Sequence, residues 1–136
     1  MNLIADVLRE LGRTDLSGLE QLRALIASGK RPGISESLDF ALTEVDVGRA
    51  VFEGVPGHHA YNPIGMVHGG YAATLLDSAC GCAVHSQLQA GQGYTTLELK
   101  VAYHKAATSQ TGLLRAEGRV LTMGRRAAFA EAKLTD

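Results

Sequence analysis

Apolar residues recur at helical spacing from the start of the chain. Leu3, Ile4, Val7, Leu8 and Leu11 fall on one face of a helix. A second helix begins at Ser17, where Ser17 and Glu20 form a Ser-x-x-Glu capping box that satisfies two free N–H groups of the first turn. Leu19, Leu22, Leu25 and Ile26 supply its apolar face, and Gly29 can end it in the left-handed conformation. Lys30-Arg31-Pro32-Gly33 reads as a linker. The period then shortens. Leu38, Phe40 and Leu42 alternate with Asp39, Ala41 and Thr43, the pattern of a half-buried strand. Asp46-Val47-Gly48 reads as a turn, residues 50–55 as a second strand, and residues 56–66 as a loop broken by Gly57, Asn62, Pro63 and Gly65. Residues 70 to about 88 return to the helical period, with apolar side chains over most of the circumference, which predicts a buried helix. Three alternating segments follow: Leu97 to Tyr103, Leu114 to Val120 and Ala128 to Leu134, the last two joined by a hairpin turn at Met123-Gly124-Arg125. Strands joined by hairpins make an antiparallel sheet. One helix packed on one sheet face leaves such an apolar helix under-covered, so a curved sheet or a second subunit is expected around it.

The length of 136 residues fits one domain, for which about 100–200 is usual. Thirteen Lys and Arg against fourteen Asp and Glu leave a net charge of −1, which argues against a nucleic-acid partner. The most apolar stretch, residues 69–84, carries Asp77 in its middle and falls short of the roughly 20 residues of a membrane span. Cys80 and Cys82 sit too close for an ordinary bridge, which suits a reducing, cytoplasmic home. The start of the chain lacks the pattern of a signal peptide. No His-x3-His or Cys-x2-Cys spacing exists, so no metal is expected.

Three groups stand out chemically. Asp77 lies on the most apolar helix, where burying an isolated carboxylate is costly; an ion pair or cap explains it, or a function does. His68-Gly69-Gly70 sits immediately before that helix, whose first N–H groups lack partners and whose dipole is positive there. Glycines permit a ligand oxygen to approach, which makes an oxyanion site; they equally permit a tight turn. Asn62 lies in the preceding loop, either as an Asn-Pro turn or as an amide donor.

In combination, Asn62-x2-Gly65-x2-His68-Gly69-Gly70-x6-Asp77 resembles the signature of PaaI-like hotdog-fold acyl-CoA thioesterases, of the 4-hydroxybenzoyl-CoA thioesterase-like superfamily. The run Tyr94-Thr95-Thr96-Leu97-Glu98-Leu99-Lys100-Val101 is similar to the strand that follows the long helix in that family. The resemblance implies an α+β hotdog fold, a long central helix wrapped by a curved antiparallel sheet, over residues 31–136, with residues 1–30 as a helical extension. Whether that extension caps the sheet or enlarges an interface stays open.

The resemblance also implies site roles. Asp77 is the catalytic carboxylate, as general base or nucleophile. The Gly69 N–H polarises the thioester carbonyl, with Gly70 beside it. Asn62 and His68 come from the opposite subunit, and Thr96, or Thr95 one residue away, holds the attacking water. Dimers with shared sites, commonly paired into tetramers, follow from the family. Arg125 and Arg126 are candidate partners for CoA phosphates. The pattern usually continues into a further strand, so the domain is expected to lack its last strand, and His104-Lys105-Ala106 replaces the usual Arg-Pro ending, so no CoA contact is carried over there.

The function expected is hydrolysis of a short-chain, medium-chain or aromatic acyl-CoA without a cofactor. Thioester chemistry needs only an oxyanion site and a carboxylate, and no Gly-x-Ser-x-Gly elbow is present. The rivals are an acyl-CoA-binding sensor and an enoyl-thioester hydratase or dehydratase.

Overall fold

A computed structural model describes residues 2–136. Helix α1 spans Leu3–Leu11, capped by the Asn2 side chain, which accepts from the Ala5 N–H at 3.0 Å. Helix α2 spans Gly18–Ser28 and begins in the expected capping box: Ser17 Oγ accepts from the Glu20 N–H at 3.3 Å, and Glu20 Oε2 accepts from the Ser17 N–H at 2.8 Å. Gly29 closes it at φ 69°.

The next segment departs from the expected linker and strand. Gly33–Leu38 forms a short helix, α3, because the Pro32 carbonyl accepts from both the Ser35 and Glu36 N–H groups, at 2.9 and 3.1 Å. Asp39 ends α3 in the left-handed conformation, so Leu38 belongs to a helix and the strand begins two residues later than its alternation suggested.

Strand β1 (Phe40–Asp46) turns through residues 47–48 into β2 (Arg49–Gly54). The long helix α4 runs Gly69–His85, followed after a wide gap by β3 (Leu114–Met123) and β4 (Ala128–Thr135). The sheet is antiparallel throughout in the order β1-β2-β3-β4. Its inner face meets α4 along Tyr71, Leu75, Ala79 and Ala83, residues one helical turn apart. Two sheet glycines allow this approach. A Cβ at Gly118 would lie 2.4 Å from the Ala79 carbonyl oxygen, and one at Gly54 would lie 2.3 Å from the Tyr71 hydroxyl. That hydroxyl is buried with no hydrogen-bond partner among the described residues, and burial pushes its pKa up to about 12.

The N-terminal helices cap the far end of this core. Leu22 of α2 packs with Val45, Ala50 and Ala83. The Gly18 N–H donates to the Leu88 carbonyl at 2.8 Å. His85 Nε2 lies 2.9 Å from Gln21 Oε1, and the Gln21 amide nitrogen donates to the Leu16 carbonyl. That second bond orients the amide, so its oxygen faces His85 and His85 carries its proton on Nε2. No helix is long and apolar enough to cross a membrane among the described residues.

Residues 94–103, expected as a strand, form none. Among the described residues, 94–106 make no backbone–backbone hydrogen bond. The alternation is present, but a ladder needs a neighbouring strand, and among the described residues none pairs with this segment. The segment instead lies along α4 in the opposite direction, held by side chains. Leu97 and Leu99 on it are 83% and 41% exposed.

Candidate active site

Helix α4 arranges the site by its own periodicity. Asp77 is two residues from both Leu75 and Ala79, hence about 200° around the helix from the face on the sheet. It is half-buried, and Thr96 Oγ1 from the crossing segment donates to its Oδ1 at 2.9 Å. The geometry selects Thr96 over Thr95 as the residue beside Asp77. Thr74, one turn below, bonds back to the Gly70 carbonyl at 2.8 Å and does not reach Asp77.

At the start of α4 the two glycines differ. His68 is the N-cap, and its Nδ1 accepts from the Gly70 N–H at 2.7 Å. The Gly70 donor, expected to face substrate, is therefore occupied. Nδ1 accepts, so the neutral His68 ring keeps its proton on Nε2 and presents a donor outward. The Gly69 N–H makes no bond among the described residues and remains available, aligned with the helix dipole. Gly69 has a tight cover. Tyr103 donates its hydroxyl to the Gly69 carbonyl at 2.7 Å, and a Cβ at Gly69 would lie 3.0 Å from that hydroxyl.

Asn62 is fixed by its own loop. Its Oδ1 accepts from the Ile64 and Met66 N–H groups at 3.1 and 3.0 Å, and its backbone N–H donates to the Met66 carbonyl at 2.8 Å. With the oxygen turned inward, the amide nitrogen is left as the outward donor. The His68 N–H donates to the Ala60 carbonyl at 2.7 Å, and the Val67 N–H to that of Ala107 at 2.9 Å, so the loop is tied to the start of α4.

The chain does not bring all these groups to one point. Gly69 and Asp77 are eight residues apart on one helix, about 12 Å along its axis. Asn62, His68 and Gly69 form one cluster at the helix start; Asp77 and Thr96 form another. Arg125 and Arg126 lie exposed in the β3–β4 turn. Gly118 packs on Ala79 and Val120 beside Ala83, so that turn lies toward the C-terminal end of α4, away from the same chain's Gly69. No three His, Cys, Asp or Glu side chains among the described residues gather in a metal-binding cluster. A cleft of about 200 Å³ between α2 and the β1–β2 hairpin, with Leu42, Phe52 and Cys82 in its lining, contains none of these residues.

Tyr94 and Tyr103 were not anticipated as site residues. Tyr94 seats on Gly81, where a Cβ would lie 2.7 Å from its hydroxyl, and its ring meets the His85 ring edge-on at 5.8 Å. The one sequence signal is Gly81, a glycine inside a helix, where it costs about 1 kcal/mol against alanine and so asks for a packing reason; Gly69, at the helix start, gives none for Tyr103.

Comparison with known proteins places the fold. A model of the thioesterase superfamily matches residues 64–136, more than half of the chain. A 1,4-dihydroxy-2-naphthoyl-CoA hydrolase of Listeria monocytogenes is 24% identical over 104 residues, 76% of this chain and 83% of that protein. The crystal structure of a phenylacetic acid degradation-related protein from Ralstonia eutropha superposes with a TM-score of 0.74 at 26% identity, covering 85% of this chain and 87% of that one. A thioesterase-type protein of Streptococcus pneumoniae, solved with coenzyme A, gives a TM-score of 0.62 at 26% identity, over 71% and 74% of the two chains.

Proposed function

Because the chain belongs to the thioesterase superfamily, a family of thioester hydrolases, we propose that it hydrolyses an acyl-CoA to the free acid and CoA, in sites shared between two copies. The observation that carries this reading is the division of roles at the start of α4: the Gly70 N–H holds His68, and the Gly69 N–H stays free for a carbonyl oxygen.

In the proposed reaction the Gly69 N–H and the helix dipole polarise the thioester carbonyl. Asp77 takes a proton from a water placed beside it by Thr96, and the water oxygen bonds to the acyl carbon. The C–S bond breaks, and the proton passes to the departing thiolate, with His68 Nε2–H and the Asn62 amide as donors to the oxyanion or the sulfur. No metal or redox group enters the scheme.

The 12 Å between Gly69 and Asp77 argues for a second copy, whose Gly69 would meet the first copy's Asp77. The exposure of His68 and Thr96 in the single chain supports the same pairing, since oxyanion stabilisation is strongest where water is excluded. The names of the Listeria and Ralstonia relatives favour aromatic acyl groups. Cys80 and Cys82, both free thiols, suit the reducing cytoplasm as the setting.

The test is thiol release from aromatic, short-chain, medium-chain and long-chain acyl-CoAs. Wild-type protein is expected to turn over at least one of them, with aromatic thioesters foremost. Asp77→Asn is expected to lower kcat by about 10²–10⁴-fold at unchanged fold and assembly. Full activity in Asp77→Asn, or binding of acyl-CoA without turnover by the wild type, would replace hydrolysis with ligand sensing. Water addition to an enoyl-CoA without thiol release would point to hydratase chemistry.

A further inference from the structure

The segment over α4 delivers Thr96 to Asp77 and meets the rest of the chain, among the described residues, through side chains. Among the described residues, 94–106 make no backbone–backbone hydrogen bond and join no ladder within the chain. Thr95 and Thr96 are adjacent, so a slip of one residue would carry the Thr96 hydroxyl off the carboxylate and turn the chain's face over.

Two tyrosines flank the contact, and each sits on a glycine of α4. Tyr94 occupies the space a Cβ at Gly81 would need, with its hydroxyl 2.7 Å and a ring carbon 3.0 Å from that position. Tyr103 does the same at Gly69, its hydroxyl at 3.0 Å and ring carbons at 3.1 and 3.3 Å. Gly81 and Gly69 bracket Asp77 on the helix, and Tyr94 and Tyr103 bracket Thr96 on the segment. The Tyr103 hydroxyl is tied to the Gly69 carbonyl at 2.7 Å. The Tyr94 ring is backed by His85, which Gln21 of α2 holds.

We propose that Tyr94 and Tyr103 are positioning residues, pegs whose glycine sockets on α4 fix the register in which Thr96 meets Asp77, with the N-terminal extension bracing the first peg through Gln21 and His85. The proposal rests on the thioesterase reading for its effect on rate, and on the contacts alone for its effect on Thr96.

The test is a pair of double-mutant cycles. Tyr94→Leu is expected to lower kcat roughly 10-fold or more with KM little changed, since small misplacements at a reacting centre cost up to about 10²-fold. In a Thr96→Ala background the same substitution is expected to cost less than about twofold, because two residues acting through one contact are not additive. Losses that multiply, or full activity in Tyr94→Leu, would overturn the proposal. Gly81→Ala displaces the same ring from the helix side and serves where Tyr94→Leu fails to fold. Tyr103→Phe, which removes only the hydroxyl, is put through the same cycle.

A second readout needs no turnover. The NMR signal of the Thr96 methyl group is expected to move as Asp77 gains a proton, and to stop moving in Asp77→Asn, Tyr94→Leu and Gly81→Ala. A methyl response that persists in Tyr94→Leu and Gly81→Ala overturns the pegs whatever the activity. A response lost there, in a protein that cleaves no thioester, upholds the pegs and sinks the thioesterase reading.

Discussion

At the scale of single residues, the side chains at the helix start do two things at once. Asn62 shows this most directly: its oxygen closes the loop by accepting two backbone N–H groups, and its nitrogen is thereby aimed outward. The two roles separate in Asn62→Asp, which keeps both acceptor bonds and loses the outward donor. Its melting temperature is expected to stay near that of the wild type, while kcat/KM for the preferred acyl-CoA falls by about 10²-fold, the usual effect of removing one oxyanion donor. A large fall in melting temperature would show that the loop, not the donor, needed the amide. His68 divides similarly, its Nδ1 capping the helix and its Nε2 left as a donor. In the sequence, Asn62, His68, Gly69 and Asp77 stand out together because their combined pattern resembles a family signature, not by any one residue's chemistry. The sequence left Thr95 and Thr96 undecided, because adjacent threonines differ only in the face they present.

At the scale of elements, the junction of α2 with α4 is built on a neutral imidazole. Burial holds the His85 pKa below its ordinary 6.5. The unfolded chain then takes up the proton before the native one does. This contribution to stability is complete above about pH 6.5 and is lost as the pH falls below it. Thermal unfolding followed from pH 8 to pH 5 is expected to show a falling midpoint on the acid side, and His85→Gln is expected to flatten that fall. An unchanged slope in the variant would place the acid sensitivity elsewhere. The elements themselves were legible to different degrees. Capping boxes and alternating runs are local chemistry, so α1, α2, β2 and the β3–β4 hairpin follow from the sequence. Helix α3 did not, because its six residues are held by one proline carbonyl rather than by an apolar period. The segment 94–103 reads as a strand because alternation states which faces a segment has, and says nothing of whether a neighbour is there to pair with it.

At the scale of the whole molecule, each proposed half-site needs its counterpart on a second copy. Mixing variants tests this. Asp77→Asn and Asn62→Asp protomers, co-expressed and separated from neither homodimer, are expected to recover about one quarter of wild-type activity, since half the dimers are mixed and each holds one intact site of two. Recovery no greater than the mean of the two homodimers would put all the groups in one chain. The positions of the tyrosines have an optical consequence. The chain has four tyrosines and no tryptophan. Tyr94 and Tyr103 stand over α4, Tyr71 lies beneath it against the sheet, and the Tyr61 hydroxyl accepts from the Ser109 N–H beside the Asn62 loop. Every strong near-ultraviolet chromophore in the protein therefore borders the helix or loop that carries the site. Its intrinsic emission, with no indole to mask it, is a label-free signal of ligand arrival and of the segment's seating on α4.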